Sequence, residues 1–308
     1  GSDGFLGTYV VNRLKKRYNV IKFDIRHLPW MDATRFPTVF SFLAKHMPDY
    51  IINLAGLTGS HGRGGNEESL KNPYEYIMVN LSIALNILET MRLLSIDKLI
   101  QMSSLAPFGD ISGIDEMTQY NPTTPYGVAK MIIEQICKMY AQVYGFKVAI
   151  VRAPLIVGRG QKEMNALREF VFTAITKGVI VLYGDGTHQR EWIHPADVAR
   201  AIEKIMLYMD TAHFRNYDIF IVSNPDNRMS MKELADIVIS ELRKQGITKN
   251  VRITYCEHSR KYKDQTTNPF NTFRRLNFKP SIKIKAIIRE AVSYTHLRAH
   301  ETEADLVC

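Results

Sequence analysis

Apolar residues occur along this chain in two patterns, as short unbroken runs and as longer stretches with helical spacing. Unbroken β-prone runs predict strands, because a strand covered on both faces needs no polar alternation. Strands are expected at 20–23, 50–54, 99–102 and 148–151, with 180–183 and 217–222 extending the sheet or flanking it. Helices are expected at 8–17, 37–46, 73–94, 126–144, 165–177, 195–208 and 231–245. This alternation predicts an α/β fold, a Rossmann-like doubly wound parallel sheet followed by a smaller C-terminal lobe.

The first residues carry glycines three positions apart, Gly1, Gly4 and Gly7, and lead directly into a predicted helix. Glycines let a backbone approach a pyrophosphate, and a helix N-terminus supplies N–H groups and positive dipole. The following apolar run ends in Asp24, about where this motif places an acid for the ribose 2′-OH. Either feature alone is often only a turn or a solvated loop. Together, at the spacing that the motif expects, the glycine loop and Asp24 predict dinucleotide binding. A carboxylate at this position repels a 2′-phosphate, which favours NAD over NADP.

A second informative segment reads Thr-Thr-Pro-Tyr-Gly-Val-Ala-Lys and opens an amphipathic helix after the run 98–104. Pro125 suits a first helical turn, and four residues return Lys130 to the face that carries Tyr126. An ammonium there favours the phenolate, and a lowered pKa would let the phenol act as a base near neutral pH. A second Tyr-x-x-x-Lys begins at Tyr18, but it runs into a predicted strand, where four residues share no helical face.

With these motifs, residues 1–291 resemble the extended short-chain dehydrogenase/reductase family, which contains NAD-dependent nucleotide-sugar epimerases, dehydratases and reductases. The resemblance extends to 48–56, to Asn72-Pro73, to the Ser-Ser-x-x-x-x-Gly pattern at 103–109 and to the arginine-bearing segment 184–197. It implies that Ser104, Tyr126 and Lys130 are catalytic and that Arg190 holds a substrate diphosphate, with Ser104 also touching substrate. Implied cofactor contacts are Gly1, Gly4, Phe5, Leu6, Gly7, Asp24, Asp32, Leu54, Ala55, Gly56, Asn80, Tyr126 and Lys130.

Two departures from the family pattern narrow the expected chemistry. Leu105 and Ala106 stand where dehydrating and decarboxylating relatives carry an acid, and neither side chain exchanges a proton. Leu155 replaces an asparagine that binds substrate. The resemblance therefore implies an NAD-dependent nucleotide-sugar epimerase, which oxidises the sugar transiently to a keto sugar and returns the hydride. The alternatives are an NAD(P)-dependent sugar reductase or dehydrogenase of the same fold and a non-catalytic NAD-binding regulatory protein.

The chain has a net charge of +9, with Lys and Arg concentrated at 243–290. Solvated surface explains most of these residues, and Arg260 is the candidate to join Arg190 around a diphosphate. No nucleic-acid motif or aromatic stacking platform accompanies the charge, which argues against nucleic acid as a partner. The three cysteines fit neither a disulfide framework nor a zinc pattern, so no metal and a cytoplasmic location are expected. The apolar run 76–88 is too short for a bilayer, so no membrane association is expected.

The resemblance also implies a possible homodimer, formed through the helix that carries Tyr126 and the helix before it. The apolar side chains that would allow such contact are Met131, Ile132, Ile133 and Ile136.

The expected domain division is 1–152 for the cofactor, with the late strands as possible additions, and 153–291 for an interleaved substrate lobe. A glycine loop normally follows a central strand, so the chain is expected to be truncated and to lack the first strand of its sheet. Residues 292–308 resemble a translated sequencing adapter and are interpreted as a non-native tail. The glycine-dense stretch 56–65 is interpreted as a loop over the cleft, with His61 and Arg63 either touching substrate or solvated.

Overall fold

The computed structural model describes residues 1–58, 67–248, 250–257 and 262–304. His61, Arg63 and Arg260 lie outside these residues, so their suggested contacts stay predictions.

The predicted long helices all form within a few residues of the expected bounds, and α1 begins earlier than expected, inside the glycine loop. Three further helices, α3, α9 and α10, were not predicted. The helices are α1 Phe5–Leu14, α2 Phe36–His46, α3 Glu67–Lys71, α4 Pro73–Leu94, α5 Pro125–Tyr144, α6 Ala166–Lys177, α7 Pro195–Met209, α8 Met231–Lys244, α9 Phe270–Leu276 and α10 Ile284–Ala304.

The strands are mostly short, and those at the centre of the fold are the most fully buried. They are β1 Ile51–Asn53, β2 Lys98–Met102, β3 Lys147–Arg152, β4 Leu155–Ile156, β5 Val179–Tyr183, β6 Gln189–Ile193, β7 Tyr217–Ile221, β8 Arg228–Ser230 and β9 Arg252–Cys256.

Four parallel strands form the central sheet in the order β1-β2-β3-β7. Successive residues of β2 face opposite sides, and Leu99 joins the apolar cluster under α2, α4 and α5. Ile100 joins the cluster on the other face, under α1 and α7. Helices therefore cover both faces of a parallel sheet, which confirms the predicted α/β class.

The predicted strand at 20–23 is wrong, because these residues have no strand pairing within the described structure. Their apolar pattern is real, but a strand also requires a neighbour that offers a hydrogen-bonding ladder. Phe23 O instead accepts from the N atom of Gly1 at 2.8 Å and from that of Ser2 at 3.4 Å, both in the glycine turn. Among the described strands, β1 is therefore an edge of the central sheet.

Of the two late strands, β7 joins the central sheet, whereas β5 pairs with β9 in a separate two-stranded sheet. A three-stranded sheet, β4-β6-β8, lies in the same second lobe. Helices α6, α8 and α10 enclose the core of that lobe, and α10 continues past residue 291 with Val292 fully buried. The lobe is interleaved with the central sheet, because the chain returns to β7 between β6 and β8.

Helix α4 is the one described helix whose length and composition would allow it to cross a membrane. It packs against α2 and α5 and contributes Ile83, Leu88 and Met91 to their shared core, as an apolar helix inside a domain does.

Candidate active site

A cleft of about 520 Å³ opens at the carboxyl ends of β1, β2 and β3, between the central sheet and the second lobe. One side, called here the sheet wall, consists of the glycine loop, the residues that follow these three strands and the first turns of α5. The opposite side, called the lobe wall, consists of lining residues from β5, from the start of α6 and from Asp110, His188, Arg190, Tyr262 and Gln265. Ligand clefts of α/β sheets lie at this position.

The glycine loop forms a cradle in which side chains have no room. A Cβ on Gly1 would lie 2.6 Å from Ala55 N, and one on Gly7 would lie 2.0 Å from Gly1 O. The loop lies at the N-terminus of α1 and lines the cleft through Gly1, Gly4, Phe5, Leu6 and Gly7, with Leu54, Ala55 and Gly56 beside it. Bare backbone at a helix N-terminus suits the phosphates of a dinucleotide, so these residues fit the predicted cofactor.

Asp24 is buried and braces the loop, because its carboxylate accepts from Asp3 N at 2.9 Å and from Arg26 N at 2.8 Å. Burial by itself raises the pKa of this carboxyl, but the two N–H groups, together with the charges of the Gly1 ammonium and Arg26, outweigh burial and lower the pKa. The cleft is lined at this end by Arg26 and not by Asp24. Asp32 is also absent from the lining, and its Oδ1 accepts from Thr34 N at 2.8 Å in a local turn.

Asn80 holds the turn that follows β1. It is buried, and its Nδ2 donates to Leu57 O at 3.2 Å and to Tyr76 O at 2.8 Å. Gly56 has a φ of +149°, and a Cβ there would lie 2.3 Å from Asn80 Oδ1 and 4.0 Å from Lys130 Nζ. This Oδ1 has no hydrogen-bond partner among the described residues. Asn80 was expected to touch the cofactor, but it is not among the described residues that line the cleft, and it acts on the cleft through the Leu57 turn.

The N-terminus of α5 is fixed against the turn that follows Ser104. The Thr124 hydroxyl accepts from Gly127 N at 3.1 Å as an N-cap, and Pro125 occupies the first helical position. A Cβ on Gly127 would lie 2.5 Å from Ala106 O, so the helix approaches this turn as closely as backbone allows.

This approach brings together the three residues expected to be catalytic, and all three line the sheet wall. The hydroxyl of Ser104 acts on the phenol of Tyr126 and lowers its pKa, and it accepts from Ala106 N at 3.2 Å. Lys130 lies one turn further along α5, with Nζ 5.7 Å from the centre of the Tyr126 ring and donating to Met102 O at 3.1 Å.

The protein alone does not activate the phenol in the way expected from the motif. Burial raises the pKa of Tyr126 to about 12, and the hydrogen bond from Ser104 opposes this only in part. Burial also lowers the pKa of Lys130 to about 8, against the attraction of Glu134. The expectation that Lys130 lowers the pKa of the phenol is therefore not met by the protein alone, because desolvation dominates both groups.

Behind these residues lies a buried ionic network that the sequence reasoning missed. Glu134 and Arg152, 0% and 1% exposed, form an ion pair at 2.7 Å. Glu134 also accepts from Ser103 Oγ and, at 2.8 Å, from the Tyr120 hydroxyl. Burial lowers the pKa of Arg152 and the Glu134 charge raises it, with a net raised value. The available signal was positional, since Glu134 lies four residues after Lys130 on the same helical face.

The lobe wall presents Arg190, as the resemblance implied, but its guanidinium already has partners. Nη2 lies 3.2 Å from Asp110 Oδ1, and Nη1 donates to Lys263 O at 2.6 Å. Next to it the rings of His188 and Tyr262 stack, with centroids 5.0 Å apart. Asp110, His188 and Tyr262 were not predicted, although Asp110 directly follows the Ser-Ser pattern.

The two departures from the family pattern both lie at the cleft. Leu105 is buried and lines the cleft together with Ala106 and the half-buried Leu155. Neither position that follows Ser104 therefore offers a proton donor or acceptor on its side chain.

Comparisons with known proteins agree with this geometry. The model of the NAD dependent epimerase/dehydratase family matches residues 1–219. A relative named putative UDP-glucose 4-epimerase, from Methanocaldococcus jannaschii, is 25% identical over 308 residues that cover 96% of each chain. UDP-glucose 4-epimerase from Brucella ovis in complex with NAD superposes with a TM-score of 0.83 at 21% identity, covering 96% of each chain. RMD from Pseudomonas aeruginosa complexed with NADPH gives a TM-score of 0.82 at 18% identity, covering 97% of each. These structures confirm the Rossmann-like fold.

Proposed function

Since the chain belongs to the NAD dependent epimerase/dehydratase family, we propose that it is an epimerase that inverts one hydroxyl-bearing carbon of a nucleotide sugar. It is an enzyme of the extended short-chain dehydrogenase/reductase type, and its cofactor is NAD. The observation that carries the proposal is the convergence of Ser104, Tyr126 and Lys130 in one cleft beside the glycine cradle, with aliphatic residues at 105 and 106.

In the proposed reaction Tyr126 acts as a phenolate, which the ammonium of Lys130 and the positive charge of bound NAD would together stabilise against the effect of burial. The phenolate oxygen takes the proton of a sugar hydroxyl, while Ser104 donates a hydrogen bond to the oxygen of that sugar hydroxyl. NAD, when bound, would accept the hydride from the carbon that bears this hydroxyl and would later return it. Lys130 keeps an ammonium beside the phenol and would hold the nicotinamide ribose of the cofactor. Tyr126 would return its proton to the same sugar oxygen once the keto sugar is reduced on its opposite face, which regenerates the phenolate.

Substrate binding is assigned to the lobe wall. Arg190 would hold the diphosphate, because a guanidinium presents two parallel donors to phosphate oxygens. The diphosphate must then compete with the carboxylate of Asp110, which lies 3.2 Å from Arg190. Nucleotide sugars are the substrates named for the relatives, for example in UDP-glucuronate 4-epimerase from Thermodesulfobacterium geofontis.

The proposal includes a cytoplasmic location and a homodimer through α4 and α5, where Tyr74, Met78, Met139 and Val143 are exposed. The expected contribution of Ile133 to this surface is wrong, because its side chain is 2% exposed and packs in the core under α4.

The test is turnover of UDP-glucose and UDP-glucuronate, followed by chromatography of the epimeric products and by absorbance of NADH. Tyr126→Phe removes only the ionisable oxygen and should lower kcat by about 10²-fold to 10⁴-fold, with NAD still bound. Tyr50→Phe is the control, since the Tyr50 hydroxyl bonds Met206 O at 3.3 Å, away from the cleft.

Three results would contradict the proposal. Retained turnover in Tyr126→Phe would reject the assigned base. Stoichiometric NADH without epimer would indicate a dehydrogenase, and bound NAD without turnover of any sugar would indicate a regulatory protein.

A further inference from the structure

Tyr126, Lys130 and Glu134 follow one another at intervals of four residues and so lie along one face of α5. The first two reach the cleft, whereas Glu134 lies one turn deeper and is fully buried. Its carboxylate contacts the hydroxyl of Ser103, the residue next to Ser104, and thus joins α5 to the end of β2.

We propose that Glu134 is a positioning residue for the reaction: its carboxylate fixes the Ser103–Ser104 segment against α5 and its charge keeps Lys130 in the ammonium form. The positioning half of this inference, the contact of Glu134 with the Ser103–Ser104 segment, rests on the proposed function for its kinetic consequence. The electrostatic half, the effect of the Glu134 charge on Lys130, concerns the protein alone.

Stability is a weak explanation for this buried ion pair. Desolvating two charges costs about as much as their attraction returns, and apolar side chains of similar volume are often at least as stabilising. Both carboxylate oxygens of Glu134 accept hydrogen bonds. Oε1 accepts from Ser103, and Oε2 accepts from Tyr120 at 2.8 Å and from Arg152 at 2.7 Å. An apolar replacement would lose both the link to β2 and the negative charge below Lys130.

The charge of Glu134 acts on Lys130 against burial. Burial lowers the pKa of Lys130 to about 8, and Glu134, followed by Cys137, raises it. Removal of the Glu134 charge should lower the pKa of Lys130 further, so that a smaller fraction carries the ammonium at neutral pH. The titratable or charged groups around this pair are Tyr126 and Cys137 on α5, Tyr76 on α4, Tyr120 in the preceding loop, Arg152 on β3 and Tyr217 on β7.

The decisive experiment is Glu134→Gln in the full chain, which keeps the size of the side chain and removes its charge. Lysine labelled with ¹³C at Cε is titrated by NMR, and the Lys130 signal is assigned by its loss in Lys130→Met. We expect the Lys130 midpoint to fall by about one pH unit. We also expect kcat at pH 7.5 to fall by about 10-fold while KM changes by less than about 3-fold.

Glu241→Gln is the matched control, because Glu241 on α8 is 2% exposed and pairs with Arg289 at 2.8 Å outside the cleft. A purely structural Glu134 would make both variants less heat-stable and leave the Lys130 titration unchanged in both. That outcome would overturn the electrostatic half of the proposal.

Ser103→Ala tests the positioning half and leaves the Glu134–Arg152 pair intact, so it also serves if Glu134→Gln does not fold. We expect kcat to fall several-fold with an unchanged Lys130 midpoint, and an unchanged kcat would overturn this half. The titration needs neither substrate nor turnover. A wild-type protein that converts no sugar would therefore reject the proposed function without deciding the link between Glu134 and Lys130.

Discussion

The two walls of the cleft are assembled from very different stretches of chain. On the sheet wall, Ser104 follows the end of β2, and Tyr126 and Lys130 lie on α5, the next long helix. Their spacing is set where the capped N-terminus of α5 packs against the end of β2. On the lobe wall, Arg190 meets Asp110 from 80 residues away, and Gln265 donates to Gly109 O at 2.7 Å from 156 residues away. The proposed catalytic group is thus built locally, whereas the proposed substrate-binding surface depends on distant contacts.

This difference predicts a division of kinetic effects between the walls. Beyond the Tyr126→Phe test of the proposed base, Ser104→Ala should show the largest effect. Loss of the hydroxyl removes a hydrogen bond to the reacting oxygen and to the Tyr126 phenol, so kcat should fall by about 10²-fold while KM changes little. Steady-state kinetics with the substrate found for the wild type measure both constants. A rise in KM alone would place Ser104 in substrate binding and contradict the expected division between the two walls.

Arg190→Gln should act on binding. A charged hydrogen bond to phosphate is worth about 1.5–3 kcal/mol, so KM should rise by roughly 10-fold to 100-fold with kcat within about 3-fold. Arg92→Gln is the control, because Arg92 forms an exposed pair with Glu89 on α4. A fall in kcat at unchanged KM would show that the lobe wall also takes part in the chemical step.

Lys130→Met should change the free energy of unfolding, because Lys130 on the sheet wall is a buried cation. At pH 7 both the folded and the unfolded wild type carry the ammonium, so the full cost of burying it is present. Between pH 8 and the ordinary lysine pKa of 10.5, the folded state has lost a proton that the unfolded state keeps, and stability rises with pH. The variant should therefore be more stable than wild type by about 2 kcal/mol at pH 7, with the advantage gone above about pH 10.5.

Urea unfolding of Lys130→Met and wild type at the two pH values measures this difference. Lys98→Met is the control, because Lys98 pairs with Asp210 near the surface and carries no comparable burial cost. A variant that is less stable than wild type at pH 7 would contradict the assigned burial cost of Lys130.

The smallest effect is expected for Leu155→Asn, which introduces an amide at the start of the second lobe. Leu155 lines the cleft and packs partly against the apolar core of that lobe. If a UDP-hexose occupies the cleft, its KM should fall by about 2-fold to 10-fold, at a cost of about 1 kcal/mol in stability. An unchanged or raised KM, measured for UDP-glucose beside wild type, would indicate that the substrate has no polar group there.

The sequence predicted the sheet wall well because its signals are local. Helical period, Pro125 at the first turn and the glycine spacing each depend on a few neighbouring residues. Residues 20–23 failed for the opposite reason, since their apolar pattern does not reveal whether a pairing strand lies beside them. Asp110 and Tyr262 were missed likewise, because only folding brings them to Arg190. Glu134 was missed although its spacing was visible, since a charged residue on a helix is usually solvated.

The close approach of Gly127 to Ala106 O leaves no room for a side chain at position 127. This contact therefore sets how close α5, with Tyr126, lies to the turn that follows Ser104. Even alanine at 127 would push the helix off the turn, so the reactive pair would separate without either member being altered. Mutational screens of this enzyme should therefore find position 127 intolerant of substitution, although its residue has no functional group.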